Sequence, residues 1–212
     1  MGGLEALLAD AEIQKLKAAL AAHRSPDSGS DEGVRKAAVA LIFRSGADGQ
    51  PELLFIKRAD YPGDPWSGQV AFPGGREEPG DSSLADTAAR ETREETGIDL
   101  SRDGAFIGTL DDLRPRINRL PDVIVRPYVV LLDRCEQLIL SQEVALAFWI
   151  PLPALKEAES WRETQVLARG IQINTRAFHH EGHIVWGMTE RILGQLLELL
   201  AQASSSEWTE RA

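Results

Sequence analysis

Apolar and polar positions along this chain follow two periods, and the switches between them divide it into elements. Over residues 4–22, Leu4, Leu7, Leu8 and Ala11 recur at helical spacing. Ile13, Leu16 and Leu20 continue with a slight shift of face, so the spacing predicts one amphipathic helix. Residues 24–33 (RSPDSGSDEG) have little to bury and read as a turn-rich linker. Residues 36–43 and 51–57 are β-rich runs joined by RSGADGQ, whose Gly and Asp suit a hairpin. Residues 59–69 carry Pro62, Gly63, Asp64, Pro65 and Gly68, a long loop of the kind that often holds function. A short extended run at 69–73 is closed by Gly74-Gly75. A helix is predicted from about Ser83, a capping residue, to Thr96, with Gly97 placed to end it.

Further strands are expected at 106–110, 123–132 and 145–150, then a short helix from Pro151 through about Glu159. Residues 166–168 and 171–178 pair around Arg169-Gly170, and 184–186 forms another strand. A last helix from about Met188 sets Met188, Ile192, Leu193, Leu196, Leu199 and Leu200 on one stripe. Residues 203–212 lack periodicity and read as a loose tail. With no internal repeat or second boundary, the pattern describes one α/β domain over residues 34–202. Residues 1–33 add an N-terminal helix and linker to it.

Composition narrows the function. At 43% apolar and 26% charged, the 212 residues suit a globular domain. No run approaches the ~18 apolar residues of a membrane span. The N-terminus carries acids early and lacks a basic region before a long apolar run, so it does not read as a secretory signal. Cys135 is the single cysteine, which excludes an internal disulfide framework and fits a reducing, cytoplasmic setting. A net charge of −10 argues against salt-driven binding to nucleic acid polymers. A phosphorylated small molecule remains open as a substrate, provided metal ions sit between it and the acidic protein.

The chemistry concentrates in residues 74–98, GGREEPGDSSLADTAARETREETGI. On a helix Glu91 and Glu95 lie one turn apart with Glu94 between them, so three carboxylates share a sector about 100° wide. Like charges at this spacing oppose the helix by roughly 0.2–0.5 kcal/mol per pair, and a hard divalent cation would reverse that sign. Read alone, the segment is also a solvated acidic face flanked by Arg90 and Arg93. Gly74-Gly75, read alone, is also a plain turn. Together they describe a backbone that can approach a cation held by carboxylates.

At this point the sequence resembles the Nudix hydrolases, whose signature is G, five residues, E, seven residues, then R-E-U-x-E-E-x-G-U with U bulky and apolar. Residues 90–98 (RETREETGI) match the second half, with Thr92 at the first apolar position. Gly75 begins the first half. Asp81 stands where the family usually has Glu, and eight residues rather than seven separate it from Arg90, so it receives no catalytic or metal role here. The resemblance implies an α/β/α sandwich around a mixed sheet. It implies that Glu91, Glu94 and Glu95 ligate Mg²⁺ or Mn²⁺ with help from the Gly75 carbonyl, and that Arg90 orients Glu91. The implied reaction is attack of water on a diphosphate joined to another group.

Residues 53–75 (LLFIKRADYPGDPWSGQVAFPGG) resemble the segment that marks the coenzyme A pyrophosphatase branch, and residues 108–112, 126–129 and 184–189 resemble it too. The loop is one residue longer than in that branch, and Asp64 stands where a second arginine is expected. The resemblance implies a nucleotide-derived small molecule as substrate: coenzyme A or acyl-coenzyme A, giving 4′-phosphopantetheine species and adenosine 3′,5′-bisphosphate. The alternatives are ADP-ribose or a nucleoside diphosphate sugar, and a Nudix-fold nucleotide-binding regulator without turnover. Lys57, Arg58 and Arg76 are candidate phosphate partners, and Glu143, ahead of a strand, is a candidate general base beside Glu91. His179, His180 and His183 read as a hairpin tip, Cys135 as a passive thiol, and Trp149, Trp161, Trp186 and Met188 as packing residues. The N-terminal helix and strand edges leave room for a homodimer.

Overall fold

A mixed sheet clamped between helices organises the molecule, and a computed structural model describes residues 2–24, 33–61, 66–114, 122–134, 137–168 and 170–209, with side chains to residue 203. The elements are α1 (Gly3–Ala9), α2 (Ala11–Ala22), β1 (Arg35–Ser45), β2 (Pro51–Arg58), β3 (Val70–Ala71), β4 (Gly74–Arg76), α3 (Leu84–Thr96), α4 (Leu100–Asp103), β5 (Gly104–Thr109) and β6 (Val123–Leu132). They continue with β7 (Val144–Pro151), α5 (Leu152–Leu155), a 3₁₀ turn (Ala158–Ser160), β8 (Trp161–Ala168), β9 (Ile171–His180), β10 (His183–Trp186) and α6 (Met188–Thr209). Seven strands form one sheet in the order β3-β2-β1-β6-β5, with β4 also paired to β1 and β7 to β2. The β1–β6 pair is parallel and the other pairs of this sheet are antiparallel. Strands β8, β9 and β10 make a separate three-stranded sheet.

Strand alternation explains the layers. Along β1, Ala38, Ala40 and Ile42 pack under α3 with Leu84, Ala88, Ile98 and Leu100. Leu41 and Phe43 face the other way, into a core shared with Leu7, Ile13 and Leu16 of the N-terminal helices and Leu193, Leu196 and Leu200 of α6. Two alanines under α3 let that helix sit close to the sheet, which fixes the depth of the acids it carries. The expected α/β/α sandwich is the observed architecture. Among the described residues no helix is long and apolar enough to cross a membrane.

Several expectations are corrected. The N-terminal helix is two helices: Asp10 is extended, and its carboxylate accepts from the N–H groups of Glu12 and Ile13 to cap α2. The shift of face in the sequence is this break. Gly74-Gly75 is not a turn but strand β4, in register with Val39 and Ala38. The helix after Pro151 stops at Leu155, where Lys156 caps it, and a 3₁₀ turn follows. Strand β8 begins at Trp161, five residues before its expected start, because its first half is too exposed to show apolar alternation. The backbone of residues 203–209 continues α6, so the loose tail is corrected over that stretch: Ala, Ser and Glu extend a nucleated helix without an apolar stripe.

Candidate active site

Helix α3 is built to hold its acids in place. The Ser83 hydroxyl accepts from the Asp86 N–H (3.2 Å) at its start, and Gly97, at φ 77°, ends it in the left-handed region. Its last carbonyls are met from outside: Ile139 N–H donates to Thr96 (2.9 Å) and Ser141 N–H to Glu95 (3.1 Å). Ala88, Thr92 and Thr96 are buried against the sheet, so the acidic residues fall along its rim. Their exposure is graded: 5% of the Glu95 side chain, 19% of Glu91 and 58% of Glu94 meet solvent. The three carboxylates therefore do not share one environment.

Arg90 is the hub beneath them. Its Nε and Nη2 donate to the two oxygens of Asp81 (2.9 and 3.0 Å), and Nη2 also donates to the Arg76 carbonyl (2.9 Å). Its Nη1 donates to Glu91 (3.1 Å) and Glu94 (3.3 Å). Five donors thus meet five acceptors, and the guanidinium has one orientation. Asp81 accepts in addition from the Glu78 N–H and the Thr87 hydroxyl (2.9 Å each). The Arg90 guanidinium beside it holds the Asp81 carboxyl well below the usual range. Asp81, which the sequence leaves without a role, is the anchor of Arg90. Its side chain is one methylene shorter than the usual Glu, and the extra residue before the helix accompanies that change.

Glu95 has the opposite surroundings. Its Oε2 accepts from the Gly74 N–H (2.9 Å), and the cation it meets, Arg58, stays 4.0 Å away. Burial pushes its carboxyl up to about 8, partly opposed by the Gly74 N–H and reinforced by the charges of Glu91 and Glu143. Burial also raises Glu91, and Arg90 partly opposes it. A Cβ on Gly75 would stand 2.4 Å from the Glu91 carboxyl, and one on Gly74 2.2 Å from the Ala38 carbonyl oxygen. Both glycines are therefore required by close approach. Pro73 and Lys36 carbonyls accept from Ala40 and Glu77 across β1–β4, so alternation places Ala38 and Gly75 in a hydrogen-bonded pair. The Gly75 carbonyl, expected to face an ion, has one lone pair engaged in that ladder, and the Gly74 N–H is the backbone group that reaches the carboxylates.

The structure thus brings together Arg90, Glu91, Glu94, Glu95, Gly75 and Arg58, and Glu143 joins them from the turn before β7, near enough to add to the shifts of Glu91 and Glu95. Lys57 precedes Arg58 on β2, where the pairing with β7 shifts register between the two, and both are half-buried. Arg76 contributes its backbone carbonyl to Arg90 while the residue is exposed. The histidines are a hairpin tip, as expected: His180 pairs with His183 across β9–β10. His179 is bonded to Arg162 and Thr164 (3.1 and 2.6 Å), and His183 stacks on Phe148. Trp149 lies under the Arg44 guanidinium and Trp161 under that of Arg176. Cys135 and Asp64 lie outside the described residues.

The sequence model of the NUDIX domain matches residues 34–169. The chain belongs to the Nudix family. It is 35% identical over 150 residues, 70% of its own length and 77% of the other's, to the uncharacterized Nudix hydrolase NudL of Photorhabdus laumondii. It is 33% identical, with 70% and 72% covered, to the protein of the same name from Yersinia pestis. The MutT/nudix family protein of Enterococcus faecalis shares its fold, with a TM-score of 0.55 at 16% identity over 93% of this chain and 73% of that one. The protein is accordingly a Nudix hydrolase, an enzyme acting on phosphoric anhydrides.

Nudix hydrolases as a family use divalent metal ions, and the donor chemistry of this site fits one. The acids offer oxygen ligands only, as Mg²⁺ and Mn²⁺ prefer. Glu95 is buried with Arg58 4.0 Å away, and the bare Cα of Gly75 leaves room beside Glu91. Among the described residues no three such side chains converge as they stand, because Arg90 draws Glu91 and Glu94 toward itself.

Proposed function

We propose that this Nudix hydrolase cleaves the diphosphate of coenzyme A or acyl-coenzyme A, releasing 4′-phosphopantetheine species and adenosine 3′,5′-bisphosphate. Diphosphate hydrolysis is supported above all by Glu95, a carboxylate buried beside two other acids with its nearest charged partner 4.0 Å away. Glu91, Glu94 and Glu95, with the Gly74-Gly75 backbone, would hold Mg²⁺ or Mn²⁺. Such an ion, when bound, neutralises the diphosphate and lowers the pKa of the attacking water. Arg90 fixes the Glu91 carboxylate through a bond that Asp81 keeps rigid. Glu143 accepts the proton of the attacking water, since it faces the other acids without being bonded to Arg90. Arg58, at the edge of the cluster, steadies a phosphate oxygen.

The coenzyme A assignment rests on residues 53–75, the segment that carries Arg58 and the two glycines. Asp64, in place of a second arginine, favours a second reading, ADP-ribose or a nucleoside diphosphate sugar, because neither carries the 3′-phosphate an arginine would meet. A panel of coenzyme A, 3′-dephospho-coenzyme A, ADP-ribose and a nucleoside diphosphate sugar, with Mg²⁺ or Mn²⁺ and products separated by chromatography, decides between them. Coenzyme A should have the highest kcat/KM and lose rate without its 3′-phosphate. Equal or faster turnover of the dephospho form moves the assignment to the second reading.

A further inference from the structure

The segment that leads to Glu143 is tied to the carboxylate helix at Ser141 and Ile139. Ser141 N–H donates to the carbonyl of Glu95 (3.1 Å), the Ser141 hydroxyl accepts from the N–H of Glu143 (3.2 Å), and the Ser141 carbonyl accepts from Val144 N–H (3.2 Å). Two residues earlier, Ile139 N–H donates to Thr96. From the sheet side, Ala59 N–H donates to the Glu143 carbonyl (2.8 Å), and the Tyr61 hydroxyl donates to that of Gln142 (3.4 Å). Of these ties, the Ser141 hydroxyl is the side-chain contact that reaches the Glu143 backbone from the end of α3.

We propose that Ser141 is a positioning residue for Glu143, setting its distance from Glu91 and Glu95. This rests on the reading of Glu143 as proton acceptor given above. Glu143 is exposed. The bond to the Ser141 hydroxyl joins the Glu143 backbone to the residue whose N–H meets the end of α3. The backbone of Ser141 caps α3 whatever its side chain, so loss of the hydroxyl should loosen Glu143 and leave the helix end intact. At a reacting centre a displacement of about 1 Å costs up to roughly 100-fold in rate.

The test measures kcat and KM on coenzyme A and on ADP-ribose with Mg²⁺. Ser141→Ala should lower kcat about tenfold, keep KM within about twofold, and leave the thermal midpoint unchanged. Ser141→Thr should recover most of the rate, and Ser141→Val, of the same shape without the hydroxyl, should not. That pair gives the same comparison if the alanine variant folds poorly. In a Glu143→Gln background, Ser141→Ala should add no further loss, because both act through one group. Wild-type kcat in Ser141→Ala beside an impaired Glu143→Gln overturns the proposal, as does a full additional loss in the double variant. Wild-type kcat in Glu143→Gln overturns the reading of Glu143 itself, and the proposal with it.

Discussion

Asp81 and Glu95 lie one before and one near the end of helix α3, each with 5% of its side chain exposed, and their acidities move in opposite directions. Asp81 receives four hydrogen bonds, two of them from the Arg90 guanidinium. Among the described residues Glu95 receives one, from a neutral backbone N–H, with Arg58 4.0 Å away, and it faces two further acids. Depth adds to the contrast, since Asp81 sits in a loop and Glu95 against the sheet. The first is a finished structural joint. The second is an enclosed carboxyl with a single distant cation, the feature on which the proposed cation site rests.

The sharpest way to break this comparison is to neutralise each carboxylate in turn. Glu95→Gln keeps an acceptor for Gly74 N–H and removes the charge. Its kcat/KM with Mg²⁺ should fall by roughly 100- to 1000-fold, about 3–4 kcal/mol of transition-state stabilisation, with no loss of stability at neutral pH. Near-wild-type turnover in this variant would show that the enclosed charge is not a ligand. Asp81→Asn should do the reverse in emphasis. It puts an amide nitrogen or a single oxygen opposite the Arg90 fork, and urea unfolding should show a loss of about 1–3 kcal/mol. Turnover should drop by only about 10- to 100-fold, as for residues that orient a ligand from behind. If Asp81→Asn lost activity as deeply as Glu95→Gln with no change in stability, the structural assignment of Asp81 would fail.

Sequence and structure agree best where chemistry sits inside one element. The spacing of Glu91, Glu94 and Glu95 is a property of a single helix, and Ser83 and Gly97 mark its ends in the sequence itself. The signature therefore exposes the acid set, the helix and the family. It says nothing of the graded exposure of those acids, which depends on how closely Ala38 and Ala40 let α3 approach the sheet. The Asp81–Arg90 clamp crosses a loop whose length, not its pattern, brings the pair together. Ser141 was invisible for the same reason, since its partners are the end of α3 and the turn before β7. The break at Asp10 shows the limit on the structural side: a capping aspartate outweighs an otherwise continuous helical stripe.

The smallest effect separates the two carboxylates by pH in metal-free protein. Glu95 has a folded-state pKa of about 8, above the 4.5 of an ordinary glutamate, so between those values the native state binds the extra proton. Its contribution to stability is complete below about pH 4.5 and is lost as pH rises through 8. Between pH 7 and pH 9 that loss comes to about 1.4 kcal/mol. Asp81 is depressed, so its contribution is present above the ordinary aspartate range and disappears only on acidification. With EDTA present, wild type should lose stability relative to Glu95→Gln from pH 7 to pH 9, whereas the difference between wild type and Asp81→Asn should stay constant over the same range. Adding Mg²⁺ should then stabilise wild type more at pH 9 than at pH 7, because at the lower pH the ion must first displace the Glu95 proton. A gap between wild type and Glu95→Gln that stays flat from pH 7 to pH 9 would mean that the Arg58 charge, 4.0 Å away, already balances Glu95.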